Sequence, residues 1–214
     1  WKGLVGSEMC IRDSNYARAF AWKTCSLANN SEWFPEDMPD NWMEDAFSSV
    51  NRAMEIDPDD PEAHRILGAV KLMFEGDMDK AIFHHKKAIE ICPSDTFHLA
   101  RYAVLLSYLG ETDQAIEQLD RALRINPFGS DLIFETQGVC RYLQENYLGA
   151  LDSFKNMQID TRTSLFYSAA SHKLLGNFDL SSEKLEIAKS ESGMDIKKFV
   201  GTQLYQDPSI AKDL

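Results

Sequence analysis

The sequence predicts an all-α fold, an α-solenoid of about five helix-turn-helix units closed by a C-terminal capping segment. Three observations carry that expectation. Ala81 and Ala115 stand 34 residues apart, Ala88 and Ala122 repeat the interval, and Pro93 and Pro127 repeat it again. The segments leading into them, Gly76-Asp77-Met78-Asp79-Lys80-Ala81-Ile82 and Gly110-Glu111-Thr112-Asp113-Gln114-Ala115-Ile116, align without a gap. A fixed period of this size marks a stack of like units, none able to bury its apolar face alone.

Taken in order along the chain, residues 1–14 (WKGLVGSEMCIRDS) resemble the translation of sequencing-adapter read-through. They are expected to be a non-native leader, which would make the chain a fragment of a longer protein; a genuine segment leading into the first helix is the other reading. The array is expected over 15–190, with units at about 15–58, 61–93, 96–127, 130–160 and 162–190, and 191–214 forms a cap and tail. Its helices are expected at 15–28, 42–56, 61–75, 78–91, 96–109, 112–125, 130–144, 147–158, 162–175 and 178–190. Upstream, Ala46, Ala53 and Pro58 continue the markers in 35-residue steps, as Ala150 and Met157 do downstream. A weaker copy follows in Leu175-Gly176-Asn177-Phe178-Asp179 with Ala188. Small side chains at Ala81, Ala88, Ala115 and Ala122 let helix backbones approach closely while Leu, Ile and Phe fill the remaining space. Pro58, Pro93 and Pro127 end the second helix of a pair, because proline has no amide donor and clashes within a helix. Asp59-Asp60-Pro61 and Ser94-Asp95 then offer caps to the next helix.

Composition narrows the partner. A net charge of −12 repels phosphate backbones and anionic lipid headgroups, so neither nucleic acid nor a membrane surface is expected. No apolar run reaches the roughly 20 residues that span a bilayer. Cys10, Cys25, Cys92 and Cys140 are far apart, with no C-x-x-C pair, and read as reduced thiols filling a core. The expected location is the cytoplasm. Between Glu32 and Glu62, eleven acidic residues stand against Arg52 alone. Two readings fit the loop at 29–41: an acidic patch with Trp33 and Phe34 as apolar anchors for a basic partner, or a solvated loop whose aromatics pack down on the first helices.

Catalytic and metal chemistry find no pattern. His84-His85 are neighbours about 100° apart on a helix, with no ligand four residues away, and His64, His98 and His172 fit core-edge packing. Asp57-Pro-Asp59-Asp60-Pro-Glu62 lacks the central glycine of a calcium loop. Glycine-rich phosphate loops and G-x-S-x-G are missing. Neither a cofactor nor a metal is expected.

The repeated residues resemble the tetratricopeptide repeat family over about 15–190. That family's pattern sets a bulky residue before Leu-Gly, then a loop Gly, two alanines and a closing proline. Leu67-Gly68 and Gln137-Gly138 stand at the paired first-helix positions, the second with Gln for Leu, and Tyr102-Ala103 takes the place in the third repeat. The departures are one extra residue between Gly68 and Gly76, a long insertion in the first repeat, and Ser181 where an alanine is usual. From Tyr16 onward the chain is also similar to the C-terminal repeat region of some bacterial class III adenylate/guanylate cyclases and related regulators. That likeness rests on Ala19-Phe20-Ala21-Trp22, on Asp57-Pro58-Asp59-Asp60-Pro61-Glu62-Ala63-His64-Arg65, and on Phe199 with Tyr205-Gln206-Asp207-Pro208. With no cyclase catalytic domain in the chain, it implies a sensory or docking module and not an enzyme.

The resemblance implies a groove lined by first helices, taking an extended peptide or a helix. Its candidate lining is Arg65, Met73, Phe97, Val104, Tyr108, Glu135, Val139, Tyr142, Phe166 and Lys173, with Ala69 and Ala100 between them. Ala100 and Val104 occupy positions where a clamp for a chaperone's carboxylate tail has Lys and Asn, which disfavours that partner. The expected occupant is a peptide, an amphipathic helix, the chain's own tail, or another domain of the parent protein such as a missing N-terminal domain. A small-molecule-sensing superhelix is the alternative.

Overall fold

The computed structural model describes residues 16–33, 35–207 and 209, without the side chains of Glu32, Trp33 and Pro35. The leader at 1–14, with Cys10, lies outside the described residues, as do Phe34 and Pro208. Among the described residues there are eleven α-helices and no strand. The chain divides into two compact units, the first ending at Pro93 and the second beginning at Ser94.

In the first unit, α1 (Ala17–Trp33) and α2 (Trp42–Ile56) form one hairpin, and α3 (Pro61–Glu75) and α4 (Met78–Ile91) form another; α1 and α2 also pack on α3. Helix ends follow local chemistry. Asp60 accepts the Ala63 amide at 2.8 Å and Pro61 opens the first turn of α3, where a missing N–H costs nothing. Asp77 accepts the Lys80 amide at 3.0 Å to start α4. The core joins Ala21, Val50, Ala53, Ala63, Ile66, Leu67 and Val70, with Phe47 and Phe74 in edge contact at its border. Ala81 and Ala88 are fully buried at the α3–α4 crossing, and a Cβ added at Gly68 would come within 2.9 Å of His85 and 3.2 Å of the Ala81 carbonyl oxygen.

The second unit has three hairpins: α5 (Thr96–Tyr108) with α6 (Thr112–Ile125), α7 (Asp131–Leu143) with α8 (Tyr147–Phe154), and α9 (Arg162–Leu174) with α10 (Phe178–Ser192). The first helices α5, α7 and α9 lie side by side, α7 touching both others. A short α11 (Ile196–Gly201) follows. Asp95 caps α5 through the amides of Phe97 (2.8 Å) and His98 (3.1 Å), and Thr161 and Ser164 form a reciprocal capping box on α9. A Cβ at Gly138 would stand 2.2 Å from the ring of Phe154, itself buried, so this crossing admits only glycine.

Most helices fall within one or two residues of their expected spans. The exceptions have local causes. α1 continues to Trp33 instead of stopping at 28, since no breaker precedes Pro35. α8 stops at Phe154 instead of 158; no proline closes this repeat, and the Asp131 carboxylate accepts the amides of Gln158 (2.9 Å) and Ile159 (3.2 Å). The turn between paired helices uses left-handed residues at Gly110 (φ 77°) and Gly176 (φ 78°), and in the hairpin between them the same place is held by Glu145 at φ 61°.

Two substitutions test this packing by urea denaturation. Gly138→Ala should lower stability by about 1 to 3 kcal/mol, because the methyl group overlaps a ring that has no room to withdraw. Glu145→Gly should raise it by about 1 kcal/mol, removing the clash that a Cβ suffers in the left-handed region.

Candidate binding surfaces

Two of the candidate residues lie on α3 of the first unit. Arg65 is not a surface cation: its side chain is buried, its Nε donates to Glu62 at 2.7 Å, and its guanidinium carbon lies 5.6 Å from the centre of the Trp22 ring. Met73 is 48% exposed. On the same helix, His64 Nδ1 lies 2.9 Å from His84 Nδ1 on α4, while His64 Nε2 lies 2.9 Å from the Pro58 carbonyl oxygen. A carbonyl can only accept, so Nε2 of His64 donates to it and Nδ1 is left to accept from His84. No local pattern signals this contact, because the two rings are 20 residues apart and meet only through the hairpin. No group of three or more metal-ligating side chains occurs among the described residues.

The acidic stretch is partly spent on internal pairs. Asp60 binds Arg18 at 3.2 Å, Asp45 binds Lys23 at 2.9 Å, and Glu55 binds Arg52 at 2.9 Å. Glu36, Asp37 and Asp40 are exposed. The proposed anchors beside them, Trp33 and Phe34, lie outside the described side chains.

The other eight candidates belong to the second unit. Phe97 is 40% exposed and Lys173 is exposed; Val104, Tyr108 and Glu135 are half-buried; Val139, Tyr142 and Phe166 are buried. Phe166 is covered by the chain's own C-terminal segment, and Val139 and Tyr142 belong to the same core. Phe199 of α11 stacks on Phe166 at 4.5 Å between ring centres and meets the edge of Tyr167 at 6.1 Å. Tyr142 packs edge-on to Tyr167 at 5.0 Å. Tyr205 reaches the Tyr108 ring edge-on at 5.4 Å, its hydroxyl is hydrogen-bonded to that of Tyr167, and the Gln206 amide donates to the Tyr108 carbonyl at 2.9 Å. Tyr108, Phe166 and Tyr167 thus form an aromatic wall with the chain's own segment against it; Tyr167 was not among the candidates. The sequence left the tail open as an occupant, and neither α11 nor the Tyr167–Tyr205 contact was readable from periodicity.

Burial sets the electrostatics of this wall. It raises the phenols of Tyr167 and Tyr205 above their ordinary range and pushes the Cys140 thiol up to about 12, which disfavours the thiolate. Cys25, Cys92 and Cys140 are all unpaired. Burial also raises the Glu135 carboxyl, against the opposing pull of the hydrogen bond it accepts from the Thr161 hydroxyl.

The environment of His84 predicts acid sensitivity in the first unit. Burial, with His64, Lys71 and Lys80 nearby, lowers His84 from 6.5 to about 4. Between those two values the unfolded chain takes up a proton that the folded hairpin refuses, so stability present above pH 6.5 is lost as pH falls toward 4. Melting curves across that range should show a smaller loss for His84→Asn than for the parent chain.

Residues 99–128, from α5 into the turn after α6, match the tetratricopeptide repeat family. Over 86 residues, 40% of its length, the chain is 29% identical to the protein SGT1 homolog of Bos taurus, and the match spans 25% of that relative. Among solved structures, a thermophilic tetratricopeptide protein of Thermus thermophilus, TTC0263, aligns with a TM-score of 0.63 at 19% identity, over 84% of this chain and 96% of that one. A chain of the APC/C hetero-tetramer Cut9-Hcn1 aligns with a TM-score of 0.73 at 15% identity, over 97% of this chain and 39% of that one. At these identities the likeness is one of fold: an all-α solenoid of tetratricopeptide-type hairpins.

Proposed function

We propose that this chain is a non-enzymatic interaction module that binds another polypeptide, working as a regulatory part of a larger protein in the cytoplasm. Its partner is a peptide, a helix or another domain of its parent. Tetratricopeptide repeats bind peptides or proteins along the first helices of their hairpins, and the match at residues 99–128 lies in that part of the chain. The observation that carries the reading is the occupied wall of the second unit, where α5 and α9 hold a polypeptide segment through aromatic side chains and one main-chain hydrogen bond. Aromatic anchors are what such a surface needs, since they bury much area and lose little side-chain freedom. The likeness to the repeat region of bacterial cyclases supports attachment to a signalling enzyme as the parent.

No helix among the described residues is long and apolar enough to cross a membrane. A hollow of about 420 Å³ on the first unit is lined by Phe20, Ser48, Ser49 and Asn51 together with the ion pairs Lys23–Asp45 and Arg52–Glu55.

Peptide display against the intact chain tests the function. Selected peptides should bind the parent chain and lose at least about tenfold in affinity on Phe97→Ala, roughly the worth of one exposed aromatic contact, with melting unchanged. Failure to enrich any peptide, together with saturable heat from a small metabolite in calorimetry, would replace this reading by a sensing one.

A further inference from the structure

Resting on that reading, we propose that the wall formed by Tyr108, Tyr142, Phe166 and Tyr167 selects a partner segment of defined pattern. The segment has an acidic helix cap, an aromatic residue four positions later and a second aromatic six beyond that. We also propose that this partner and the chain's own tail exclude one another.

The pattern is that of Asp195, Phe199 and Tyr205. Asp195 accepts the Lys198 amide at 2.8 Å and starts a helix of six residues. That helix delivers Phe199 to the face of Phe166 and the edge of Tyr167. Beyond Gly201 the helix ends, and a non-helical run carries Tyr205 to Tyr108 and to the Tyr167 hydroxyl. Between Asp195 and Gln206 only Phe199 and Tyr205 are buried; Lys197, Lys198, Gly201 and Thr202 are exposed. Two aromatic anchors therefore dominate what the wall reads, Met194 and Ile196 add partly buried apolar contact to the same core, and the exposed residues between the anchors set the spacing. The Gln206 amide adds a contact that any backbone can reproduce, because it meets a carbonyl at the last residue of α5, where the helix leaves its acceptors unused. The phenol pair sharpens the choice at the second position: a residue without a hydroxyl there would leave that of Tyr167 buried and unbonded.

Exclusion follows from connectivity. The tail leaves α10 through Gly193, left-handed at φ 63°, and begins α11 three residues later at Ile196. So short a tether holds the segment at an effective concentration on the order of millimolar or more, and a free segment with the same contacts must compete against it.

A fluorescent peptide of residues 193–206 is titrated against the intact parent chain and against the full-length double variant Phe199→Asp, Tyr205→Asp, whose helix content is checked by circular dichroism. The peptide should bind the variant at least tenfold more tightly than the parent, and a peptide with alanine at both aromatic positions should not bind. Should the variant misfold, hydrogen exchange on the parent chain decides: excess peptide should speed exchange of the Gln206 amide, and the alanine peptide should not. Equal binding to parent and variant, binding by the alanine peptide, or unchanged Gln206 exchange overturns the inference. If display-selected peptides still bind in a Phe97-dependent way, the interaction function stands and only the pattern fails; if they do not, both fall.

Discussion

Everything in this protein depends on how closely one helix can approach the next. A hairpin with one apolar face finds no relief in itself and must lay that face on a neighbour, and the approach is limited by the smallest side chains at the crossing. Ala81, Ala88, Ala115, Ala122, Ala150 and Ala188 are all fully buried at such points. Gly68 and Gly138 mark the tightest, one against His85 and the other against Phe154. Ser181, which stands where the other hairpins have alanine, is buried as well, and its short side chain satisfies the same limit. The repeat visible in the sequence is the repeat of this constraint.

That is why so much of the architecture was legible and why the rest was not. Small residues, loop glycines and closing prolines recur because backbone geometry demands them in every hairpin, so helix positions followed from spacing alone. Side-chain partnerships across hairpins do not recur. Nothing near His64 in the sequence announces His84, and although Glu62 three residues before Arg65 is a local partner, nothing near Arg65 announces that Trp22 will lie against it. The family resemblance implies a groove that includes Val139, Tyr142 and Phe166, whereas in the fold these three are buried in one core with Phe199. The end of α8 illustrates the same limit, since a carboxylate 27 residues earlier in the chain, at Asp131, receives the loop where no proline stands.

Tyrosine gives the second unit a character that leucine would not. Tyr108, Tyr142, Tyr147, Tyr167 and Tyr205 bury rings while carrying hydroxyls that need partners. Apolar contact supplies the attraction, and the hydroxyl pairing of Tyr167 with Tyr205 fixes where the tail comes to rest. A surface of this kind can be uncovered without exposing a continuous hydrocarbon patch, which favours reversible over permanent association.

The tail's place at the far end of the wall's own sequence also sets an order of events during synthesis. Tyr108 leaves the ribosome roughly a hundred residues before Tyr205, which at about 5 to 20 residues per second is an interval of several seconds or more. Hairpins α5–α6 and α7–α8 close from local contacts far faster than that. Tyr108 and Tyr142 are thus in place well before the tail exists, whereas Phe166 and Tyr167 precede Tyr205 by only about 40 residues, so the last hairpin and the segment that covers it form almost together.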